Sequence, residues 1–266
     1  MQGKTTAQLR GSWHNFSKYR PLIRELVTRD LKVKYRRSFL GYVWSILNPL
    51  LMMLLQTLVF SYMFRFQIEN FPLYLICGNT LFNFFNESTN MGMGSVLGNS
   101  SLIKKVYVPK FIFPISRVVS SFVNLLFSLA AIILVMLITR SPFHLTILLV
   151  WAPLVLLFLF TCGIALLLSA LAVYFRDLQY LYSIVTMAWM YATPLFYPIS
   201  ALPPFMVAIV KLNPLYHYIN CMRCLVMYGT VPGPNTWFAC IVCAVGVMVV
   251  GLAAFRKLQR NFILYL

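Results

Sequence analysis

Acidic residues are scarce in this chain. It contains five Asp and Glu residues against 22 Lys and Arg, and only three His. Apart from Glu87, these acids and histidines are scattered over segments that we expect to be loops. General acid–base catalysis and metal binding need several such groups in one place. The sequence therefore predicts no catalytic centre and no metal site, and we expect the chain not to be an enzyme.

A complete phosphate-binding loop is also missing. The segment GKTT at Gly3–Thr6 resembles only the end of such a loop. It lacks the upstream glycine and a preceding strand, both of which a phosphate cradle needs. The chain is therefore not expected to hydrolyse ATP by itself.

Charge of either sign is rare, at 10% of residues, whereas 61% of residues are hydrophobic and the mean hydropathy is +0.80. Soluble domains carry about 25% charged residues, so this composition indicates an integral membrane protein. A net charge of +17 can indicate nucleic-acid binding, but no soluble domain is left to bind nucleic acid. Basic residues instead crowd the cytosolic loops of membrane proteins.

Four of the six cysteines have the spacing of a zinc ribbon. The pattern C-x2-C-x15-C-x2-C is formed by Cys221, Cys224, Cys240 and Cys243. The last two lie one helical turn apart inside an apolar run, where a zinc ion and its ordered loops do not fit. We predict packing roles for these side chains and no bound metal.

The stretch Lys32–Pro49 orients the chain in the membrane. Its first six residues carry four positive charges, and no charge follows from Ser38 to Phe64. Such a basic collar stays in the cytosol. We therefore predict that a first span, about Gly41–Phe64, leads outward from the collar. Its length suffices for a hydrocarbon core about 30 Å thick.

Residues 18–37 are predicted to form an amphipathic helix on the cytosolic membrane surface. Apolar side chains such as Leu22 and Leu26 fall on one side at 100° per residue, and most basic ones fall on the other. Asp30 lies inside the apolar arc and therefore needs a partner, with Arg29, Lys34 or another chain as candidates. The helix either anchors the chain or couples it to a partner protein.

A second span is predicted within Phe71–Leu97. It carries an asparagine stripe, which consists of Asn79, Asn83, Asn86 and Asn90, with Glu87 beside it. Their spacing of three or four residues places them on one helical face. Polar side chains are costly in lipid, so the stripe faces protein or water. It forms either interhelical hydrogen bonds or the wall of a hydrophilic conduit, and Arg117 is a candidate partner for Glu87.

A fifth span is predicted to start near Leu178 and carries an aromatic stripe, which consists of Tyr182, Thr186, Trp189, Thr193 and Phe196. Because threonines are interleaved, we favour a pore-facing stripe, shared with the asparagine stripe, over packing against lipid or an aromatic belt at the membrane interface. Regular helix then ends at Pro194, Pro198, Pro203 and Pro204. Helix breaks at membrane depth are tolerated only against protein or a water-filled cavity. Short re-entrant or interfacial helices are therefore predicted on the outer side, around Phe205–Val210 and Tyr216–Tyr228.

Together these segments predict an all-α, polytopic membrane protein with six transmembrane helices. The other spans are about Phe113–Ile138, one tilted helix within Ser141–Phe175, and about Trp237–Phe255. Predicted cytosolic segments hold 18 Lys and Arg, whereas predicted outer segments hold four: Arg65, Arg140, Lys211 and Arg223. This bias places both termini inside. We expect one transmembrane domain over residues 1–266, with a six-span bundle at 38–255, an outer re-entrant region at 197–235 and a cytosolic tail at 256–266.

Three segments resemble the permease subunits of polysaccharide-exporting ABC transporters. They are RDLKVKYRRSFLGYVWSILNPLL (Arg29–Leu51), YFRDL (Tyr174–Leu178) and MYATPLFYPIS (Met190–Ser200), and their spacing extends the resemblance over nearly the whole chain. The resemblance implies export of lipid-linked O-antigen, capsule or teichoic acid chains across the bacterial cytoplasmic membrane. The stretch NESTNMGMGSV (Asn86–Val96) is more similar to teichoic acid and rhamnan exporters. The alternative is an exporter permease for another amphiphilic lipid or a drug-like substrate.

The resemblance also implies partners and roles. The chain would be a homodimer with two ATP-binding cassette subunits, which hold the ATP and Mg²⁺, and with membrane lipid and a lipid-linked glycan as further partners. The N-terminal helix would rest on the ATPase, and the loop Asn99–Lys110 would be the coupling helix. The candidate coupling residues are Asp30, Lys32, Lys34, Arg36, Arg37, Leu102, Lys104, Lys105, Tyr107, Arg176 and Asp177.

A conduit for a glycan would combine the two stripes. Sugar rings stack on aromatic side chains through their C–H faces, so a row of aromatics binds a passing glycan weakly at many points. The candidate conduit residues are Asn79, Asn83, Asn86, Glu87, Asn90, Tyr182, Trp189, Thr193, Phe196 and Tyr197.

Overall fold

The computed structural model describes residues 19–34, 36, 38, 40–64, 68–106 and 108–265. Every regular element in this part of the chain is helical, so the all-α prediction is confirmed. Two candidate coupling residues, Arg37 and Tyr107, lie outside the described residues.

Six helices coincide in sequence with the predicted spans. They are α2 (Trp44–Phe64), α3 (Phe71–Met93), α6 (Ile112–Ile138), α7 (Trp151–Tyr174), α8 (Leu178–Ala192) and α11 (Pro234–Leu258). Short 3-10 segments precede α2 and α7, at Gly41–Val43 and Leu145–Val150. The other helices are α1 (residues 19–34), α4 (Ser95–Gly98), α5 (Ser100–Lys105), α9 (Pro204–Leu212), α10 (Pro214–Val226) and α12 (Phe262–Tyr265).

Four of the described helical segments are long and apolar enough to cross a membrane. They are Gly41–Ser61, Ile112–Ile138, Leu145–Tyr174 and Pro234–Tyr265. The other two predicted spans correspond to α3, which carries the asparagine stripe, and to α8, which has 15 residues. The structure thus confirms a helical protein with four candidate spans, and the count of six stays a prediction.

The helix α3 lies at the centre of the bundle. It packs against α2, α6, α7, α8 and α10, and most of its side chains are buried. Asn70 begins it in the left-handed conformation, and its side chain accepts a hydrogen bond from the Leu73 N–H. Because Asn70 also donates to Thr139 Oγ1 at 2.9 Å, the start of α3 is tied to the end of α6.

The helices α7 and α11 approach each other most closely at glycine. A Cβ atom added to Gly163 would lie 2.5 Å from the Val247 carbonyl oxygen, and one added to Gly251 would overlap the Gly163 backbone. Glycine therefore permits close packing of the two backbones, as in many membrane helix pairs.

The two ends of the bundle differ. At the first, which we call the basic end, α1, α4, α5 and α12 pack with the adjoining ends of α6, α7 and α11 around buried side chains such as Leu26, Ile103 and Phe262. The second, which we call the opposite end, holds α9 and α10. There α8 ends at Ala192, because Thr193 precedes a proline and takes an extended conformation. The two short helices predicted after this break are present, whereas their placement in the membrane stays a prediction.

Candidate functional site

A polar cavity of about 530 Å³ lies between α2, α3 and α6 and reaches the end of α1. Most of its lining side chains are amides, hydroxyls and ions: Lys34, Ser38, Ser45, Asn48, Asn83, Asn86, Glu87, Asn124 and Ser128. Trp44, Pro49 and Met52 complete the wall. Amides, hydroxyls, a carboxylate and an indole together suit a ligand that is rich in hydroxyl groups.

The asparagine stripe divides between the cavity and helix packing. Asn83 and Asn86 line the polar cavity, and Asn83 is exposed. Asn90 donates to the Asn86 side-chain oxygen at 2.7 Å within α3. Asn79 is buried and donates to Gln56 Oε1 on α2. Different members thus line the polar cavity and make the hydrogen bond between helices, and the role of the stripe as the wall of a conduit stays a prediction.

Glu87 pairs with a different base from the one predicted. Its carboxylate accepts from Lys34 Nζ at 2.7 Å and from Asn124 Nδ2 at 3.3 Å. The prediction of an Arg117 partner is therefore wrong. The pair joins α1 to α3, and both side chains are partly exposed in the polar cavity.

Arg117 forms an ion pair with Asp30, which is a buried acid. Its carboxylate lies 2.8 Å from Arg117 Nη1 on α6 and 3.3 Å from Arg29 Nη2, and Ser120 Oγ donates to it at 3.4 Å. The predicted Arg29 contact is confirmed, whereas Lys34 pairs with Glu87 instead. Asp30 lies on the apolar arc because that arc faces α6, where a base and a hydroxyl complement the carboxylate.

The aromatic stripe packs inside the subunit. Tyr182 donates to Thr89 Oγ1 at 2.7 Å. Thr186 is buried and donates to the Tyr182 carbonyl of the same helix. Trp189 packs edge-on against Phe85 and donates to Asn213 Oδ1 at 2.8 Å. Phe85 and Thr89 lie on the side of α3 away from the polar cavity. Within the single subunit the two stripes therefore do not line one cavity, and a shared conduit between two copies stays a prediction.

The end of the aromatic stripe is held in the same way. Thr193 is buried and accepts from Asn213 Nδ2, which belongs to the start of α10. Phe196 stacks on Phe60 of α2 at a centroid distance of 5.0 Å. Tyr197 is half-buried and donates to the Tyr191 carbonyl at 2.7 Å. The outward face of α8 consists of other side chains: Tyr180, Ile184, Met187 and Tyr191.

The coupling candidates that the structure describes gather at the basic end, together with Lys34 at the cavity. The predicted helical turns of the loop are present as α5, in which Ile103 is buried and Leu102 is half-buried. Lys104 and Lys105 are exposed in its last turn. Further exposed candidates are Lys32, Arg36, Arg176 and Asp177. This end therefore presents a basic surface with one short helix anchored on it.

Arg223 has a role that the sequence patterns did not indicate. We expected it in an outer segment, within the short helix predicted around Tyr216–Tyr228, and it is 4% exposed inside α10. Its guanidinium donates to the carbonyls of Pro194, Leu195 and Tyr74 at 2.8–3.2 Å and lies 3.4 Å from the centroid of the Tyr74 ring. Gly78 leaves it room, because a Cβ there would lie 2.7 Å from Arg223 Nη2. Its apolar neighbours Met222 and Leu225 were the available signal for burial.

Comparison with known proteins agrees with this architecture. The model of the ABC-2 type transporter family matches residues 21–227. The chain is 32% identical to the O-antigen export system permease protein RfbA of Klebsiella pneumoniae over 89% of this chain and 92% of that protein. It is 30% identical to the protein of the same name from Myxococcus xanthus over 92% and 95%. It is 24% identical to the polysialic acid transport protein KpsM of Escherichia coli over 90% and 93%. The chain therefore belongs to the ABC-2 type transporter family, as a multi-pass membrane subunit.

Proposed function

We propose that this chain is the membrane subunit of an ATP-driven exporter of lipid-linked polysaccharide. The observation that carries the proposal is the similarity, over about nine-tenths of the chain, to two O-antigen export permeases. Glycan of the O-antigen or capsule type is the substrate class that these relatives support. The polar cavity agrees with it, since amide, hydroxyl and indole groups bind sugars.

The proposed topology has six spans with both termini in the cytosol. At 1.5 Å per residue the 23 residues of α3 extend about 34 Å, enough to cross the bilayer despite the asparagines. The 15 residues of α8 extend about 22 Å, and the chain beyond it turns back as α9 and α10. The basic end then lies in the cytosol, in agreement with the charge bias.

The proposed machine has two copies of this chain and two ATPase subunits that hold ATP and Mg²⁺. Docking would use α5 with Lys104 and Lys105, and the exposed candidate bases Lys32, Arg36 and Arg176. Two ion pairs would couple the helix α1 to the bundle. Asp30 of α1 pairs with Arg117, and Lys34 of α1 pairs with Glu87. A movement of the ATPase against α1 would therefore be transmitted to the polar cavity, which Lys34 and Glu87 line.

A gene deletion with complementation tests the substrate. Cells without the chain are expected to lose surface polysaccharide and to accumulate the lipid-linked glycan, and the wild-type gene should restore export. The control is a variant of the partner ATPase without hydrolytic activity, which should give the same accumulation. Unchanged surface polysaccharide in the deletion strain would contradict the proposal.

A further inference from the structure

A groove of about 600 Å³ runs along the outside of the bundle between the start of α6 and the end of α11, at the basic end. We call it the basic groove, because Lys110, Arg256 and Arg260 line its upper part. Its lower part is apolar and is lined by Ile115, Met248 and Leu252. The side chains from Met248 to Gln259 recur along one face of α11 and extend the groove over several turns.

Among the described residues, the charges in this groove have no acidic side chain as a partner. All five Asp and Glu residues belong to the described part, and none of them lines the groove. The ion pairs of the described residues use Arg29, Lys34 and Arg117 instead. Arg256 and Arg260 are exposed, so the groove presents two guanidinium groups over an apolar floor, with no Asp or Glu beside them.

Lys110 is held in place at the upper part of the groove. Its ammonium donates to the Gln259 carbonyl at 2.9 Å and lies 5.4 Å from the centroid of the Phe262 ring. Partial burial lowers the pKa of the Lys110 side chain below its ordinary value. An anion in the groove would offset this desolvation, because it supplies the opposite charge that the protein does not.

We propose that the basic groove binds one anionic phospholipid, with its phosphodiester headgroup on Lys110, Arg256 and Arg260 and an acyl chain on Ile115, Met248 and Leu252. The polar part and the apolar part are stacked along a membrane helix in the order that a lipid requires. Basic pockets between membrane helices on the cytosolic side bind such headgroups. The inference rests on the proposed orientation of the chain and is independent of the exported substrate.

Native mass spectrometry of the complex with its ATPase tests the proposal. The complex is purified in detergent with equal amounts of phosphatidylglycerol and phosphatidylethanolamine, and the lipids retained per protomer are counted. The wild type is expected to retain phosphatidylglycerol selectively. The double variant Arg256→Gln/Arg260→Gln should lower this retention about tenfold, since each base near a membrane surface attracts anionic lipid. Lys110→Gln should lower it as well.

Two further variants test whether the lipid binds in the groove itself. Lys257→Gln removes a charge from an exposed position of α11 at the same end but outside the groove, and should leave lipid retention unchanged. Leu252→Trp keeps every charge but fills the apolar floor, so it should expel a phospholipid while leaving a free phosphate ion bound.

Several results would overturn the inference. Wild-type retention in the Arg256/Arg260 double variant would show that the groove is not the site. Equal loss in Lys257→Gln would show that diffuse positive charge, and not the groove, retains the lipid. Unchanged retention in Leu252→Trp would exclude an acyl chain in the groove. If phosphatidylglycerol is retained only in the absence of the ATPase, the ATPase covers the groove in the complex. Thermal unfolding of each variant confirms that it is folded before lipids are counted.

Discussion

At the scale of single residues, buried charge is the feature with the largest expected effect on stability. Asp30 is the one buried acid among the five, and it faces two arginines. The side chains of Arg29 and Arg117 are 44% and 25% exposed, so removing the acid costs less than the roughly 3 kcal/mol expected when the remaining charge stays buried. We therefore expect Asp30→Asn to lower the thermal unfolding temperature of the purified protein.

A matched control for this variant lies on the same helix. Glu25 is exposed on α1, so Glu25→Gln should leave the unfolding temperature unchanged. A double-mutant cycle of Asp30→Asn with Arg117→Gln measures the coupling energy of the pair. A coupling energy near zero would show that the contact contributes nothing to stability.

Arg223 supports a second prediction at this scale. Replacement by Met would leave the Leu195 carbonyl without a donor, whereas the Pro194 carbonyl would keep the Tyr74 hydroxyl. A buried unsatisfied group costs about 1–3 kcal/mol. Arg223→Met should therefore destabilise the opposite end and expose the chain after α8 to proteolysis. Arg223→Lys should rescue only part of the loss, because an ammonium lacks the planar fork. Lys211→Met, at an exposed position of the same end, is the control.

At the scale of the helices, α3 presents one side to water and another to protein. In a background without the six native cysteines, Asn83→Cys should react with a membrane-impermeant thiol reagent during ATP turnover, because Asn83 is exposed in the polar cavity. Leu81→Cys is the control and should stay protected, since Leu81 is 1% exposed. If the cysteines at both positions are equally protected from the reagent, the polar cavity is not part of the transport path.

The helix α5 supports a prediction about coupling. Lys104 and Lys105 are exposed, while Ile103 anchors the helix in the bundle. If these bases dock the ATPase, a loss of about 1.4 kcal/mol on Lys104→Ala/Lys105→Ala would weaken the subunit contact about tenfold. Export per ATP hydrolysed, measured in proteoliposomes, should fall accordingly. Lys257→Ala, which removes an exposed base of α11, is the control and should leave export per ATP hydrolysed unchanged. Normal export by the Lys104/Lys105 double variant would show that α5 does not couple the two subunits.

At the scale of the whole molecule, two helices expose apolar faces that the monomer does not cover. Leu51, Leu54 and Leu58 are exposed on α2, and Ile184, Met187 and Tyr191 are exposed on α8. We expect native mass spectrometry to find two copies of this chain with two ATPase subunits, and no ATP hydrolysis by the chain alone. A solitary monomer with transport activity would contradict this assembly and favour a secondary carrier.

The sequence by itself determined the helices, because the signals for them are local. Apolar runs bounded by charged residues located the predicted spans, and prolines located the break after α8 and the short helices beyond it. The bounds of α2 and α6 agree with the predictions to within a few residues. The resemblance of three segments led to the family, which the comparison confirms.

Only the tertiary structure decided which polar group meets which partner. Periodicity places Glu87, Asp30 and Trp189 each on a helical face, but it does not say which distant helix covers that face. The packing of α1 against α3 and α6 exchanged the expected bases, so that Lys34 meets Glu87 and Arg117 meets Asp30. The packing of α8 against α3 buried the aromatic stripe away from the polar cavity. Such contacts depend on crossing angles between helices far apart in the chain, which local sequence patterns do not determine.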